Sequence, residues 1–290
     1  MRFADGAERV PMRAALLGAL FAALVTLPGL GIGTLWDNSE TAYGEVAREI
    51  LVTHDWLVMH LNGHVWFVQP PLYFWIAAIF AKMFGVGTFA MRLPSALATI
   101  AMGGAVGYAT ARISTTRSGI YAAVILSTSL MQAIVGRLAI MDALLDLTIA
   151  GAILWLFRAF EPQRIPGALV DIGKRNTALI LGAAAVAFGM LAKGPVAPAI
   201  VGLVIVGWLA WEWRVHASLV VPSRGAMLAA VGVFLLVALP WFVLLAARMG
   251  MHAVAELILH YTVGRYTGVI ENQSGPFYYY LPVLILGFFP

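Results

Sequence analysis

Residues 227–247 read MLAAVGVFLLVALPWFVLLAA, 21 residues without one charged side chain. A helix crossing about 30 Å of hydrocarbon needs roughly 20 such residues. Working outward along the chain, comparable runs stand at 15–33, 93–111, 118–136, 142–160, 176–192 and 195–213, and an eighth begins near 277 and is still apolar at Pro290. The stretch PLYFWIAAIFAKMFG at 71–85 has only 15 residues. It either spans at a tilt or lies at the interface.

Composition agrees with this reading. Of 290 residues, 61% are hydrophobic and 11% charged, and the mean hydropathy is +0.89. A soluble domain carries about 25% charged residues. Disorder is excluded, because the chain has too much to bury and too little to solvate. The absence of cysteine excludes a disulfide scaffold, a thiol nucleophile and a thiolate metal site. The 18 basic residues against 14 acidic ones are scattered and form no patch, so nucleic acid is not an expected partner. The first apolar run is followed by many more and does not read as a cleavable signal. The fold class expected is an all-α polytopic membrane protein.

Charge bookkeeping places the loops. If 71–85 does not cross, eleven Lys and Arg, including Arg112, Arg117, Arg164, Lys174 and Arg224, share one side and seven share the other. If it crosses, the N-terminal side keeps eight at most. The first arrangement fits the excess of basic residues on cytoplasmic loops better. Segment 71–85 is then an interfacial or re-entrant helix of the outer face, and the large outer loops are 34–92 and 248–276. Substrate-handling residues concentrate on loops held by a rigid scaffold, so function is expected to face outward.

The loop sequence WDNSETAYGEVARE, 36–49, predicts a short helix capped by Asn38 or Ser39, with Glu40 in the first turn. Glu45 and Glu49 share one face, with Val46, Ile50 and Leu51 opposite, which predicts an amphipathic helix on the membrane surface. A plain lipid anchor would favour Lys and Arg. Here Asp37, Glu40, Glu45, Glu49 and Asp55 crowd the loop instead. Gln69-Pro70-Pro71 forms a rigid corner before the apolar stretch.

Three further places carry ionisable groups at the outer boundary. Asp142, with Asp146 one turn deeper on the same face, stands where an acid usually faces a cavity, a partner or a substrate path. Arg137 is placed to neutralise Asp142, whose alternative role is a helix cap. Lys193, in LAKGP, stands at a Gly-Pro corner as a snorkelling lysine or as a point charge for a phosphate. His260, Tyr261, Arg265 and Tyr266 follow the seventh run, and the Arg265 fork suits an anionic headgroup. His54, His60, His64, His252 and His260 all fall on outer loops and with the carboxylates could build a metal site, although no H-E-x-x-H spacing occurs.

These residues resemble those of the integral-membrane polyprenyl-phosphate-sugar glycosyltransferases of the aminoarabinose transferase/protein mannosyltransferase type. The matching stretches are LWDNSETAYGEVAREILVTHDWLVMHLNG, PPLYFW, FGVGTFAMRLPSALATI, GRLAIMDALL, LAKGP, LPW at 239–241 and GPFYYYLPVLILGFFP. The resemblance implies a GT-C-like transmembrane bundle in the bacterial inner membrane, with its active face periplasmic. It implies a polyprenyl-phosphate-sugar donor and a lipid, glycan or protein acceptor. Asp142, Lys193 and Arg265 match the family pattern, and Tyr43 is kept. The family's catalytic aspartate falls on Ser39, next to Glu40 and two residues after Asp37. The Glu-Lys before the prolines is Val68-Gln69, and the late-loop histidine is Thr262. The family's metal-ligand positions are thus Val68 and Thr262, and no cofactor is assigned beyond a possible divalent metal.

The expected site therefore has Asp37, Glu40 and Asp142 as candidates to orient the acceptor and Lys193 and Arg265 to meet the donor phosphate. Tyr43, Gln69, Arg137, His260 and Tyr266 support them. The rival readings are a catalytically degenerate lipid-binding or complex subunit, and a transporter or flippase, whose inverted repeats the chain does not show. Residues 1–290 read as one transmembrane domain. Because the last apolar run reaches Pro290 short of a full span, the chain is expected to be cut short at its C-terminus.

Overall fold

In the computed structural model, residues 9–161, 171–215, 221–264, 278 and 280–289 are described. Apart from one small hairpin, the regular secondary structure among these residues is helical. The helices are α1 (Arg9–Thr26), α2 (Asn38–Thr53), α3 (Leu72–Phe84), α4 (Thr88–Ile113), α5 (Thr116–Thr128) and α6 (Leu130–Val135). They continue with α7 (Asp142–Phe160), α8 (Ile172–Lys193), α9 (Val196–Val215), α10 (Arg224–Met249) and α11 (Met251–Ala255). A π-helix, Glu256–Val263, runs on from α11, and α12 is Tyr280–Gly287. Strands β1 (His60–Leu61) and β2 (His64–Val65) pair antiparallel. Asn62 and Gly63 between them both have positive φ, 53° and 77°, the geometry of a tight two-residue hairpin turn.

Among the described residues five helices, α4, α7, α8, α9 and α10, are long and apolar enough to cross a membrane. Helix α7 reproduces the run expected at 142–160, and α8, α9 and α10 extend theirs by a few residues. Two expected spans need correction. The first, 15–33, is helix from Arg9 to Thr26 only. Pro28 follows, and Gly29 and Gly33 adopt φ of 71° and 78°, so the chain turns instead of continuing. The run at 118–136 is broken at Ser129, whose φ of −60° and ψ of 135° are extended. Three successive hydroxyls bond back into the preceding turn: Ser127 to the Ala123 carbonyl, Thr128 to that of Val124 and Ser129 to that of Leu126. Such back-bonding competes with the helical ladder and bends it. The N–H of Leu130 is then taken by the Phe289 carbonyl at 2.9 Å. Helix α3 has 13 residues, about 20 Å of helix, too short to cross upright.

By its internal contacts the chain forms two compact units. One comprises Met1–Trp66, Tyr73–Leu147 and Thr267–Pro290, the other Phe67–Leu72 and Thr148–Tyr266. In the first, α1, α4 and α5 pack through small residues. A Cβ on Gly107 would lie 2.6 Å from the Ala14 carbonyl oxygen, and one on Gly18 2.7 Å from that of Gly103. Close backbone approach through glycine is how helices associate where lipid removes any hydrophobic drive between them.

The same unit holds a second core where α2, α3 and the start of α4 meet the segment before α7. Val46, Ala47, Ile50, Met59, Tyr73, Phe74, Met91, Ala139 and Met141 are buried together. Ring contacts knit it: Phe74 lies 5.6 Å from Tyr43, 5.4 Å from Trp66 and 5.6 Å from Tyr73, edge-on arrangements that the ring quadrupoles favour. This core corrects the amphipathic reading of α2. Glu49 is buried alongside Val46 and Ile50, and its Oε1 accepts the Gly63 N–H at 2.9 Å. The carboxylate anchors the hairpin instead of facing water.

In the second unit α8 packs on α10 and α9. Ala159, Ala178, Leu179, Ala226 and Ala230 form one core there, and Ala152, Val201 and Ile205 another.

Candidate active site

Asp37 caps α2. Its φ of −99° and ψ of 149° are extended, and its side chain accepts the Ser39 N–H at 3.3 Å. The cap thus falls one residue before the expected Asn38 or two before Ser39. An acid suits this place because the first N–H groups of a helix have no partner inside it. Ser39, at the family's aspartate position, is half-buried in the first turn.

Glu40 is fully buried. Its Oε1 accepts from Arg92 Nε at 2.8 Å and from the Ala139 N–H at 2.6 Å, and its Oε2 accepts from Arg92 Nη2 at 2.9 Å and the Trp36 N–H at 3.3 Å. A carboxylate has about four acceptor positions, and all are used. Burial pushes this carboxyl up, but the hydrogen bonds from Arg92, Ala139 and Trp36, with the Arg92 charge, hold it below its ordinary value of 4.5. A group so saturated has no free lone pair for an acceptor hydroxyl. The expectation that Glu40 is a candidate base is therefore corrected: its oxygens serve the protein.

Arg92 is the residue that sequence reasoning missed. It was counted only as an outer-loop charge, yet it lies inside α4 and is 8% exposed. Beyond Glu40 it donates to the Thr34 carbonyl at 3.2 Å, with longer contacts to those of Leu30 and Ile32. The signal was present in MRLPS, a charged residue within an otherwise apolar helix, where such groups are usually paired.

Arg137 is placed differently from expectation. Its Nη1 donates to the carbonyls of Val25 and Thr26 at 3.1 and 3.3 Å. It closes the C-terminal end of α1, where the helix leaves carbonyls unpaired and the dipole favours a cation. Asp142 is the first residue of α7 and is half-buried. The segment leading to it is held at Ala139 by Glu40 and at Ile140, whose carbonyl accepts from Ser95 Oγ at 2.6 Å. Tyr43 belongs to the aromatic cluster described above, and Gln69 is buried, 5% exposed.

In the other unit Lys193 ends α8 and is half-buried. Gly194 follows with φ of 70°, its N–H donating to the Met190 carbonyl at 2.8 Å. That left-handed residue makes the corner before α9. Arg265 and Tyr266 lie outside the described residues, and of His260 only the backbone, in the π-helix, is described. The π-helix follows an open groove of about 400 Å³ bordered by His252, Ala255, Glu256 and Leu259.

Among the described residues no three of His, Asp and Glu stand together as metal ligands would. His54 ends α2 in the left-handed conformation, and His60 and His64 lie on opposite strands of the hairpin. Val68, at the family's carboxylate position, has no donor atom, so the described residues do not fit that metal site.

The described residues form an all-α, multi-span membrane bundle, and its likeness to ArnT assigns it the GT-C fold. The chain belongs to the dolichyl-phosphate-mannose-protein mannosyltransferase family, whose model matches residues 68–244. It is 30% identical over 270 residues to the undecaprenyl phosphate-alpha-4-amino-4-deoxy-L-arabinose arabinosyl transferase of Edwardsiella ictaluri, covering 92% of this chain and 46% of that protein. The enzyme of the same name from Erwinia tasmaniensis is 30% identical, with 96% and 48% covered. The crystal structure of ArnT from Cupriavidus metallidurans bound to undecaprenyl phosphate superposes with a TM-score of 0.80 at 25% identity, covering 94% of this chain and 48% of that one. The chain thus spans about half the length of the relatives it matches.

Proposed function

We propose that the protein transfers a sugar from a polyprenyl-phosphate donor to a lipid, glycan or protein acceptor at the periplasmic face of the bacterial inner membrane. The observations that support this most strongly are the likeness, across 94% of the chain, to ArnT solved with undecaprenyl phosphate bound and the 30% identity to relatives named as arabinosyl transferases. The outer placement of loops 34–92 and 248–276 rests on the eleven-to-seven division of basic residues.

The chemistry asks little of an acid. The acceptor hydroxyl attacks the anomeric carbon, the bond from that carbon to the phosphate oxygen breaks, and the polyprenyl phosphate leaves as an anion. Fixed positive charge stabilises that anion as the bond breaks, the role given to Lys193 and Arg265. The acceptor proton passes to a carboxylate, with Asp142 and Asp37 the remaining candidates once Glu40 is assigned elsewhere. Of the two, Asp37 caps α2 through its side chain, while Asp142 matches the family pattern at the start of α7, which makes Asp142 the preferred base. No step is routed through a metal.

A second reading has a specific observation behind it: Ser39 and Val68 stand where the family has acids, as in a subunit that holds the lipid without reacting. Purified protein incubated with a labelled polyprenyl-phosphate sugar separates the two. An undecaprenyl-phosphate 4-amino-4-deoxyarabinose donor, the kind that the relatives are named for, is the first to try. Donor consumed only when acceptor is added supports the transferase. Donor bound with high affinity but never consumed, across lipid, glycan and peptide acceptors, replaces it with the binding subunit.

A further inference from the structure

We propose that Glu40 is a positioning residue for Asp142, acting with Arg92 as a latch on the segment Arg137–Met141. The proposal rests on the role of Asp142 given above. All of its parts lie in one compact unit.

Arg92 and Ser95 are three residues apart on α4 and so share a face. Ser95 Oγ holds the Ile140 carbonyl at 2.6 Å, and Arg92 holds both oxygens of Glu40. Glu40 in turn takes the Ala139 N–H at 2.6 Å. Two adjacent residues, Ala139 through its N–H and Ile140 through its carbonyl, are thus fixed to α4, one through the carboxylate and one directly. Ala139 and Met141 are fully buried, and α7 begins with Asp142 at the next residue. Helix α7 therefore starts from a point set in register and height by α2 and α4. Displacing a reacting group by about 1 Å costs on the order of a hundredfold in rate, so a directional ion pair at this place serves position, where an apolar pair would serve packing only. The depressed carboxyl of Glu40 agrees with a group that is ionised at neutral pH, because all its acceptor positions are taken by donors from Arg92, Ala139 and Trp36.

Two measurements on the full chain test this. In Glu40→Gln protein, backbone hydrogen exchange in the peptide containing Ala139 should rise about tenfold or more, while peptides of α10 stay unchanged, as local opening predicts. In transfer assays corrected for the folded fraction, Glu40→Gln should lower kcat about tenfold or more with the donor KM held within about threefold. Combined with Asp142→Asn it should cost less than about threefold further, because a residue acting only through Asp142 has nothing left to position. Glu45→Gln, on the same helix, should match wild type in both measurements. Unchanged exchange at Ala139, or losses at Glu40 and Asp142 that multiply in the double variant, would overturn the latch. Full turnover by Asp142→Asn protein would instead reject the proposed role of Asp142, and the exchange result would still decide whether Glu40 holds the segment.

Discussion

Helix α4 is held in two contrasting ways along its length. Near its first turns, Arg92 is bound by charge and hydrogen bonds to Glu40 and to the turn after α1. Farther along, Gly103 and Gly107 let the backbones of α1 and α5 approach so closely that no Cβ fits. The first junction is specific in direction, since each hydrogen bond aims a donor at an acceptor, and it sets where a loop residue stands. The second has no directional element and sets only how near the helices lie. The ionic end costs desolvation and delivers position. The glycine end costs backbone entropy and delivers packing.

Substitution at the glycine end should break the comparison most severely. A Cβ at Gly119 would run into the Gly107 carbonyl oxygen, and it would stand 2.8 Å from the Ala111 Cβ. Backbone atoms cannot swing aside, so Gly119→Leu should abolish recovery of monodisperse protein. Gly119→Ala should cost about 1–3 kcal/mol, as overpacking does, read as a lowered thermal midpoint in detergent.

At the ionic end, Arg92→Ala leaves a buried carboxylate without its charge partner and should destabilise by about 3–5 kcal/mol. A double variant, Glu40→Leu with Arg92→Met, should recover much of that stability but not the exchange protection of Ala139. Recovery of both would show that packing alone holds the loop.

The ionic end should also fail alone on acidification. The Glu40 carboxyl lies below its ordinary 4.5 in the folded protein. The stability it contributes is therefore complete above about pH 4.5 and is lost as pH falls through the lower, folded value. Wild-type protein titrated downward should expose Ala139 to exchange before the α1–α4–α5 contacts open. Simultaneous opening of both would mean that the two ends are one cooperative unit.

The smallest effect belongs to a surface pair on α2. Arg48 bonds Glu45 at 2.6 Å, with the side chains 42% and 28% exposed. Exposed pairs contribute about 0–1 kcal/mol, so Arg48→Ala should shift the midpoint by a degree or two at most and leave transfer intact. A larger effect would mean that α2 is held through its outer face as well as through Glu40.

Much of the fold was legible from residue pattern because its cause is local. A run such as 142–160 must be helical to satisfy its peptide groups in lipid, and α7 has those bounds. The corner at Lys193-Gly194-Pro195 was legible for the same reason, since proline and glycine act on their own backbone. The break at Ser129 was harder. Its three hydroxyls are local, but the acceptor for the freed Leu130 N–H is the carbonyl of Phe289. Hydropathy counts serine as mildly polar and sees no break.

The candidate site divides along the same line. That Asp37, Glu40, Arg137 and Asp142 are candidate site residues was legible from the sequence, through charge placed where lipid penalises it and through a family pattern spread over the chain, whereas Arg92 was missed. That the oxygens of Glu40 are occupied within the protein was not legible. Glu40 is fixed by Arg92, 52 residues away, and by the Ala139 N–H, 99 residues away, and Arg137 by carbonyls more than a hundred residues upstream. Hydropathy and propensity are properties of neighbours along the chain. The occupancy of a lone pair depends on which distant donor the folded backbone brings within 3 Å, and only the tertiary structure decides that.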